Sequence, residues 1–483
     1  MSRRIRIGWA ERDITPTRPV ALRGQFNLRI ATRVQDPLTL TALALEGEGE
    51  GVILVSVDLV AVDASVLEEA RQLLETRLPG FDPRRFVASA THTHTAPFAG
   101  TRGSLQDDQE YLDAIRARYP DYMDRLEYTR LLVEAMVSAA CEAWEKRREG
   151  SLGWGYSYAV VGENRRVRYF DGRAVMYGKT SEPDFSHIEG HVDHGVNLLF
   201  TYNPAGALTG VLVNIACPAQ ASEGGQDYVS ADYWHDVRQE LRRRFAADLH
   251  VLPQCSAAGD QTPHRLIATR AEERMLRLKY GEGLSRASNL ALRADIARRV
   301  GYAVAEAEPV VRKDLRQEVV LKHVHRNLDL PHWDVTEKEY HALQEEISRL
   351  TAQLQQLGEV DPLSNAYTAL RSRIAWCQRA VERYHHPPQS VPVEVNIIRV
   401  GDIAFVTVPF EYYLDFGDRI KGRSPALQTF VVQLAGGGSY LPTERAAAGL
   451  SYGAIPASCR VSPAGGQVIV DEAIATLQHL FEA

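Results

Sequence analysis

Short apolar, β-branched runs alternate with helical text along this chain, and that alternation restricts what it can fold into more than any other feature. Residues 38–46 (LTLTALALE) and 52–57 (VILVSV) flank the glycine-rich residues 47–51, which predicts a β-hairpin. Residues 64–78 carry Val66, Ala70, Leu73 and Leu74 at helical spacing, and a strand is expected at 86–90. Strand, helix, strand is the text of a sheet covered by helices. Further strands are expected at 152–160, 166–170, 196–202, 208–215, 251–254, 393–400, 403–408 and 428–434. Helices are expected over 109–148 with a break near Pro120, over 233–244, from about Glu272 to Glu306, and from about Asp471. The expected fold class is mixed α/β (α+β), a multi-layer arrangement of mixed sheets flanked by helices.

One stretch departs from this texture. Tyr340, Leu343, Ile347, Leu350, Leu354 and Leu357 recur three and four apart, and Tyr367, Leu370, Ile374, Cys377, Val381 and Tyr384 repeat the pattern after a break at 358–362. Residues 336–384 are therefore expected to be an antiparallel helical hairpin inserted into a single domain formed by 1–335 and 385–483. Its heptads report packing, so a scaffold or an arm for homo-oligomerisation is the expected role.

Composition narrows the function classes. Fifty-five Lys and Arg against 62 Asp and Glu leave a net charge of −7, which offers no basic field for a nucleic-acid backbone. No apolar run reaches the roughly eighteen residues of a membrane helix, and the first residues lack a signal-like apolar stretch, so a cytoplasmic location is expected. The five cysteines are scattered and contain no C-x-x-C pair, which argues against a disulfide framework or a thiolate zinc finger.

Five segments carry chemistry, most of them at strand ends, where α/β sites collect. Thr91-His92-Thr93-His94-Thr95 follows the strand at 86–90; in extended backbone His92 and His94 share a face, and imidazoles are good Zn²⁺ ligands. Residues 187–194 (HIEGHVDH) hold three histidines and two acids, but the glycines around them predict a loop rather than a zincin helix. Residues 255–264 (CSAAGDQTPH) place Asp260, Thr262 and His264 after a strand, as a nucleophile loop or as a capped turn. Glu411 ends an apolar strand, as a helix-start residue or as a ligand or base. Tyr440 follows the three glycines 436–438.

Read in order as T-H-T-H-T-A-P, N-R, G-D-x-[ST]-P, P-x-E and S-Y-x-P-T-E, these segments resemble the neutral (non-lysosomal) ceramidase family, zinc-dependent amidases that hydrolyse the N-acyl bond of ceramide. The resemblance implies that His92, Glu411 and Tyr440 bind one Zn²⁺ ion. It also implies that His94 and Arg165 contact the substrate's polar group, that Tyr452 is a second active-site tyrosine, and that Asp260 and Thr262 belong to the nucleophile loop. Thr262 stands where the family has serine, so either its hydroxyl or a zinc-bound water attacks. The family's second zinc histidine is missing from residues 214–220 (NIACPAQ); Cys217 is expected to replace it, with His264 as the other candidate and a buried structural cysteine as the plain alternative. Gln220 and His264 are further candidates for substrate contact.

A carboxy-terminal β-sandwich and a leader, both suited to lipid at a membrane, are not evident in the text. The expected function is zinc-dependent hydrolysis of an amide bond in a small polar or sugar-like molecule. An esterase, a glycoside hydrolase using Asp260 and Glu411 as paired acids, and a non-catalytic binding protein with a vestigial zinc site are the alternatives.

Overall fold

The structure, a computed structural model, describes residues 4–48, 50–101, 108–281 and 289–482. Three larger sheets organise the chain. The first orders strands Phe86–Ala90, Gly51–Val57, Thr39–Glu46, Arg6–Asp13 and Arg148–Glu149. The second orders His250–Cys255, Leu208–Ile215, Gly195–Tyr202 and Ser151–Tyr158, and the third Leu321–Pro331, Ser390–Val400, Ile403–Thr407 and Gln428–Val432. The period of two along each strand gives every sheet two buried faces. Leu43, Leu54, Leu199, Leu212, Leu252, Ile398, Phe405 and Phe430 point into one shared centre where the three sheets meet. The opposite faces are covered by helices. Ala42, Ala44 and Val55 pack on helices Ala64–Arg77 and Arg125–Glu145, Phe200 and Val213 on Tyr233–Arg244 and Leu290–Val311, and Ile397, Val406 and Val431 on Leu414–Arg423 and Pro463–Glu482. The expected class, mixed sheets flanked by helices, is what forms.

Each sheet contains one parallel pair: Gly51–Val57 with Phe86–Ala90, Leu208–Ile215 with His250–Cys255, and Ile403–Thr407 with Gln428–Val432. Every candidate segment except residues 187–194 leaves the carboxyl end of one of these six strands.

The hairpin forms as expected. Thr336 caps helix Glu337–Gln356 through a reciprocal capping box with Glu339, and Ser364 caps helix Asn365–His385. Tyr340 and Tyr384 stack across its base with ring centroids 4.4 Å apart. It grows from the turn of a long β-ribbon, because Leu321–Pro331 pairs with Ser390–Val400 from Leu321 opposite Val400 to Pro331 opposite Ser390. The strand Leu321–Pro331 was not expected.

Two other expectations need correction. The helix expected from about Glu272 to Glu306 is two helices, Thr269–Tyr280 and Leu290–Val311; the first closes at Gly281 (φ +79°), and residues 282–288 lie outside the described residues. The last helix starts at Pro463 rather than near Asp471, since its first turn, Pro463-Ala464-Gly465-Gly466, has poor intrinsic helix propensity and is carried by burial. Among the described residues no helix is long and apolar enough to cross a membrane.

A buried ion pair anchors the first parallel pair to the second sheet's helix. Asp58, just past strand Gly51–Val57, accepts a two-pronged contact from Arg238 at 2.7 and 3.1 Å, and it also accepts from the Thr39 amide and the Thr91 hydroxyl. Both partners are buried. Removing one partner strands a charge in the interior, so Arg238→Met is expected to lower unfolding free energy by about 3–5 kcal/mol in urea titrations. A loss below about 1 kcal/mol would show that the pair anchors nothing.

Candidate active site

Beyond Ala90 the ladder ends. The Thr91 amide donates to Val57 O at 3.0 Å, the His92 amide donates to Leu59 O at 2.9 Å, and His92 adopts φ +68°, a left-handed backbone uncommon for a residue with a side chain. The two histidines do meet, with ring centroids 4.8 Å apart at 65°, but a turn at the strand end joins them rather than the strand period. Gly24 (φ +111°) passes so close to the His94 ring that a Cβ there would lie 2.6 Å from His94 Cγ.

Hydrogen bonds assign the imidazole nitrogens. His92 Nδ1 lies 2.7 Å from Val60 O, and a carbonyl only accepts, so Nδ1 carries the proton and Nε2 of the neutral ring is a lone pair. Arg165 donates to Gln220 Oε1 at 3.2 Å, which turns the amide nitrogen of Gln220 toward His94 Nε2 at 2.6 Å; that nitrogen therefore accepts. The two Nε2 atoms are 3.3 Å apart, and Glu411 Oε2 is 3.3 Å from His92 Nε2. The His92 Nε2 lone pair and the Glu411 carboxylate thus face one another, an arrangement that is repulsive unless a proton or cation lies between them. His94 Nδ1, buried 3.7 Å from Glu223, has no hydrogen-bond partner. Burial, reinforced by His92, Arg29 and Arg165, holds the His94 pKa well below the ordinary imidazole range, so it is neutral at pH 7.

Glu411 and Tyr440 arrive together, as register partners of a short parallel bridge beyond the third sheet's parallel pair. The close approach needs glycine at 438, where a Cβ would sit 1.6 Å from Pro409 O. Burial alone would raise the Glu411 pKa, but the positive charge of a protonated His92 and that of Arg165 outweigh it and the carboxyl sits below its ordinary value. Burial and then Glu411 push the Tyr440 phenol well above 10, and Tyr452 packs edge-on against it at 5.5 Å.

Arg165 joins the pieces. Its backbone amide donates to Asp260 O at 2.8 Å, and its buried guanidinium reaches Gly259 O at 2.8 Å, Tyr440 Oη at 3.3 Å, Tyr177 Oη at 3.4 Å and Glu411 Oε2 at 3.5 Å. These contacts span the ends of the second and third sheets.

The remaining expected residues are placed less centrally. A cavity of about 870 Å³ opens over this constellation, lined by His92, His94, Arg165, Gln220, Glu411, Tyr440 and Tyr452 among others. Asp260, Thr262, His264 and Cys217 are not in its wall. The Asp260 carboxylate accepts from Asn164 Nδ2 at 2.8 Å and the Leu414 amide at 3.1 Å. The Thr262 hydroxyl is engaged by Tyr177 Oη and the His264 amide, both at 3.2 Å. His264 Nε2 contacts Gln220 O at 3.0 Å. The Cys217 thiol is buried against Pro218 O at 3.5 Å in the core of the second sheet, and burial followed by Cys255 raises its pKa well above 9. From its segment, Gln220 is the side chain that reaches the histidines.

Tyr177, Glu223 and the hairpin residues Ser372, Ala375 and Arg379 also line the cavity and were not anticipated. In the second candidate segment, His191 instead contacts Asp418 at the surface and Asp193 pairs with Lys421 at 2.6 Å.

Among the described residues no group of three or more His, Cys, Asp and Glu side chains is arranged to hold a metal by itself. The phenol of Tyr440 would complete a set of His92, Glu411 and Tyr440, and the 3.3 Å between His92 Nε2 and Glu411 Oε2 matches one edge of a tetrahedron with bonds of about 2.0 Å.

The same architecture occurs among solved structures. A ceramidase complexed with C2 superposes with a TM-score of 0.68 at 15% sequence identity, over 99% of this chain and 76% of that one. The neutral ceramidase from Pseudomonas aeruginosa superposes with a TM-score of 0.68 at 17% identity, over 99% of this chain and 75% of that one. This chain has the neutral ceramidase fold. No family model and no curated protein matches its sequence.

Within this fold Asp260 is a positioning residue, because its carboxylate holds Asn164 beside Arg165 and the start of helix Leu414–Arg423. Asp260→Asn replaces an acceptor by a donor against one of two buried N–H groups. A loss of about 1–3 kcal/mol in chemical denaturation is expected, and an unchanged midpoint would contradict the assignment.

Proposed function

We propose that this protein is a hydrolase that cleaves an amide (N-acyl) bond in a small polar or sugar-like molecule, using one Zn²⁺ ion held by His92, Glu411 and Tyr440. One observation carries the reading: the His92 Nε2 lone pair, set by Val60 O, and the Glu411 carboxylate, held by Arg165, face each other 3.3 Å apart in the wall of a cavity in a ceramidase fold. Bound there, zinc would polarise the acyl carbonyl and lower the pKa of water to about 7.

The chain's own groups supply the rest. Arg165 is fully protonated, balances Glu411, and can bind an oxygen of the substrate or of the developing oxyanion. Tyr452 is a neutral phenol at pH 7, and the nearby Glu411 carboxylate only raises its pKa further, so it can donate to the oxyanion or to the departing amine. His94 is neutral and already accepts from Gln220 through Nε2, so it offers the substrate a surface of the cavity wall rather than a hydrogen-bond acceptor. Water is the nucleophile in this reading, since the Thr262 hydroxyl is committed to Tyr177 and the His264 amide away from the cavity wall. The Asp260 carboxylate is likewise engaged by Asn164 and Leu414, which removes support for the paired-acid glycosidase alternative.

Metal analysis of the purified protein is expected to find about one zinc per chain, falling to trace in His92→Ala and Glu411→Ala. Only trace zinc in the unaltered protein would overturn the reading. Thr262→Val is expected to keep N-acyl hydrolysis within about fivefold, whereas a loss near the 10³-fold or more seen on deleting a nucleophile would make Thr262 the attacking group.

A further inference from the structure

Helix Thr269–Tyr280 follows the Asp260–His264 loop and contributes no fully buried side chain. Its residues sort by the helical period. Thr269, Glu272, Glu273, Leu276 and Tyr280 share the half-buried side. That side is docked: Leu276 packs against the apolar cluster that includes helices Tyr233–Arg244 and Leu290–Val311, and Lys279 Nζ and Tyr280 Oη reach Asp295 at 2.9 and 3.0 Å.

The other side carries two stripes in step. Arg270, Arg274 and Arg277 form one, and Ala271, Met275 and Leu278, each one position on, form the second; all six are exposed. Leu278 is 64% exposed and Met275 45%. Single exposed apolar residues are ordinary on a protein surface, but an apolar stripe alongside a basic one is the pattern of an interfacial helix.

The basic stripe is not neutralised locally. Among the described residues no carboxylate pairs with Arg270, Arg274 or Arg277, and Arg274 Nη1 makes its contact with Met275 Sδ at 3.9 Å. The helix's own acids, Glu272 and Glu273, lie on the docked side. Behind the helix the buried Asp295 is shared by Lys279 at 2.9 Å, Arg298 at 3.0 Å and Arg299, so three cations meet one carboxylate. A chain of net charge −7 thus presents one locally positive face. Cations alone would suit any polyanion. Met275 and Leu278 beside them match the boundary of a bilayer, where phosphates and acyl chains meet.

We propose that helix Thr269–Tyr280 is the docking surface of this protein for an anionic phospholipid bilayer. Arg270, Arg274 and Arg277 pair with lipid phosphates, and Met275 and Leu278 enter the acyl boundary while the helix stays in the membrane plane. The inference is independent of the bond that the site cleaves.

The test is co-sedimentation of the full chain with vesicles of phosphatidylcholine alone and of phosphatidylcholine containing roughly one quarter phosphatidylglycerol. At about 0.1 M salt the protein is expected to bind the mixed vesicles about tenfold or more tightly than the neutral ones, and about 0.5 M salt to remove most of that difference. Arg274→Glu is expected to weaken binding to the mixed vesicles about tenfold, and Leu278→Ser about threefold or more at unchanged charge. Lys338→Glu, an exposed charge reversal on the hairpin, is expected to leave it within about twofold. All three variants alter exposed side chains, so an unchanged melting midpoint shows that each is folded. No preference for the mixed vesicles, binding that either helix variant leaves intact, or equal losses in Arg274→Glu and Lys338→Glu would overturn the inference. So would retention on heparin that Leu278→Ser does not change in a protein that binds neither vesicle, which would make the face a site for an acidic polymer.

Discussion

A guanidinium can be buried only where acceptors surround it on several sides, because the cost of removing its hydration is several kcal/mol and one partner does not repay it. Arg165 meets that requirement with a main-chain carbonyl, an amide oxygen, two phenols and a carboxylate. Those acceptors come from the ends of different sheets, so satisfying one side chain fixes the mutual position of the Gly259 turn, Gln220, Glu411 and Tyr440. The same contacts orient the Gln220 amide, which in turn decides which nitrogen of His94 accepts. The electrostatics of the site follow from this one buried cation.

The three parallel strand pairs explain why such a convergence is possible. Parallel neighbours end on the same side, and here each sheet aims one such pair at a common point from around a shared apolar centre. Residues just past those ends leave the ladder and are available to face a cavity. Asp58 with Arg238 holds the first pair's exit, Asp260 with Asn164 the second, and the Glu411–Tyr440 bridge the third.

Much of this was legible in the residues. The strands at 86–90 and 208–215 and the helix at 233–244 are bounded by clear changes of period, and they form where the text puts them. His92, His94, Arg165, Glu411, Tyr440 and Tyr452 do come together around one cavity. What escaped was set by tertiary contact. The strand Leu321–Pro331 carries Leu321, Val324, Leu328 and Leu330 without a period of two, and its pairing partner lies beyond the hairpin. Tyr177 sits in a left-handed turn with no local motif, and reaches the site only because Thr262 and Arg165 meet it there. Gln220 rather than Cys217 faces His94, because the chain turns after Ile215 and leaves the thiol in the core. The heptads of residues 336–384 describe how the two helices meet each other and say nothing of the outer face that lines the cavity.

On the proposed reading, three strand-pair ends converge to hold a cation between His92, Glu411 and Tyr440. The most direct measurement is an anomalous difference map at the zinc edge from crystals grown with zinc. The account predicts a single strong peak about 2.0–2.2 Å from His92 Nε2 and a Glu411 carboxylate oxygen, with the Tyr440 oxygen completing the set. A map with no peak there, or with its only peak on Cys217, would contradict it.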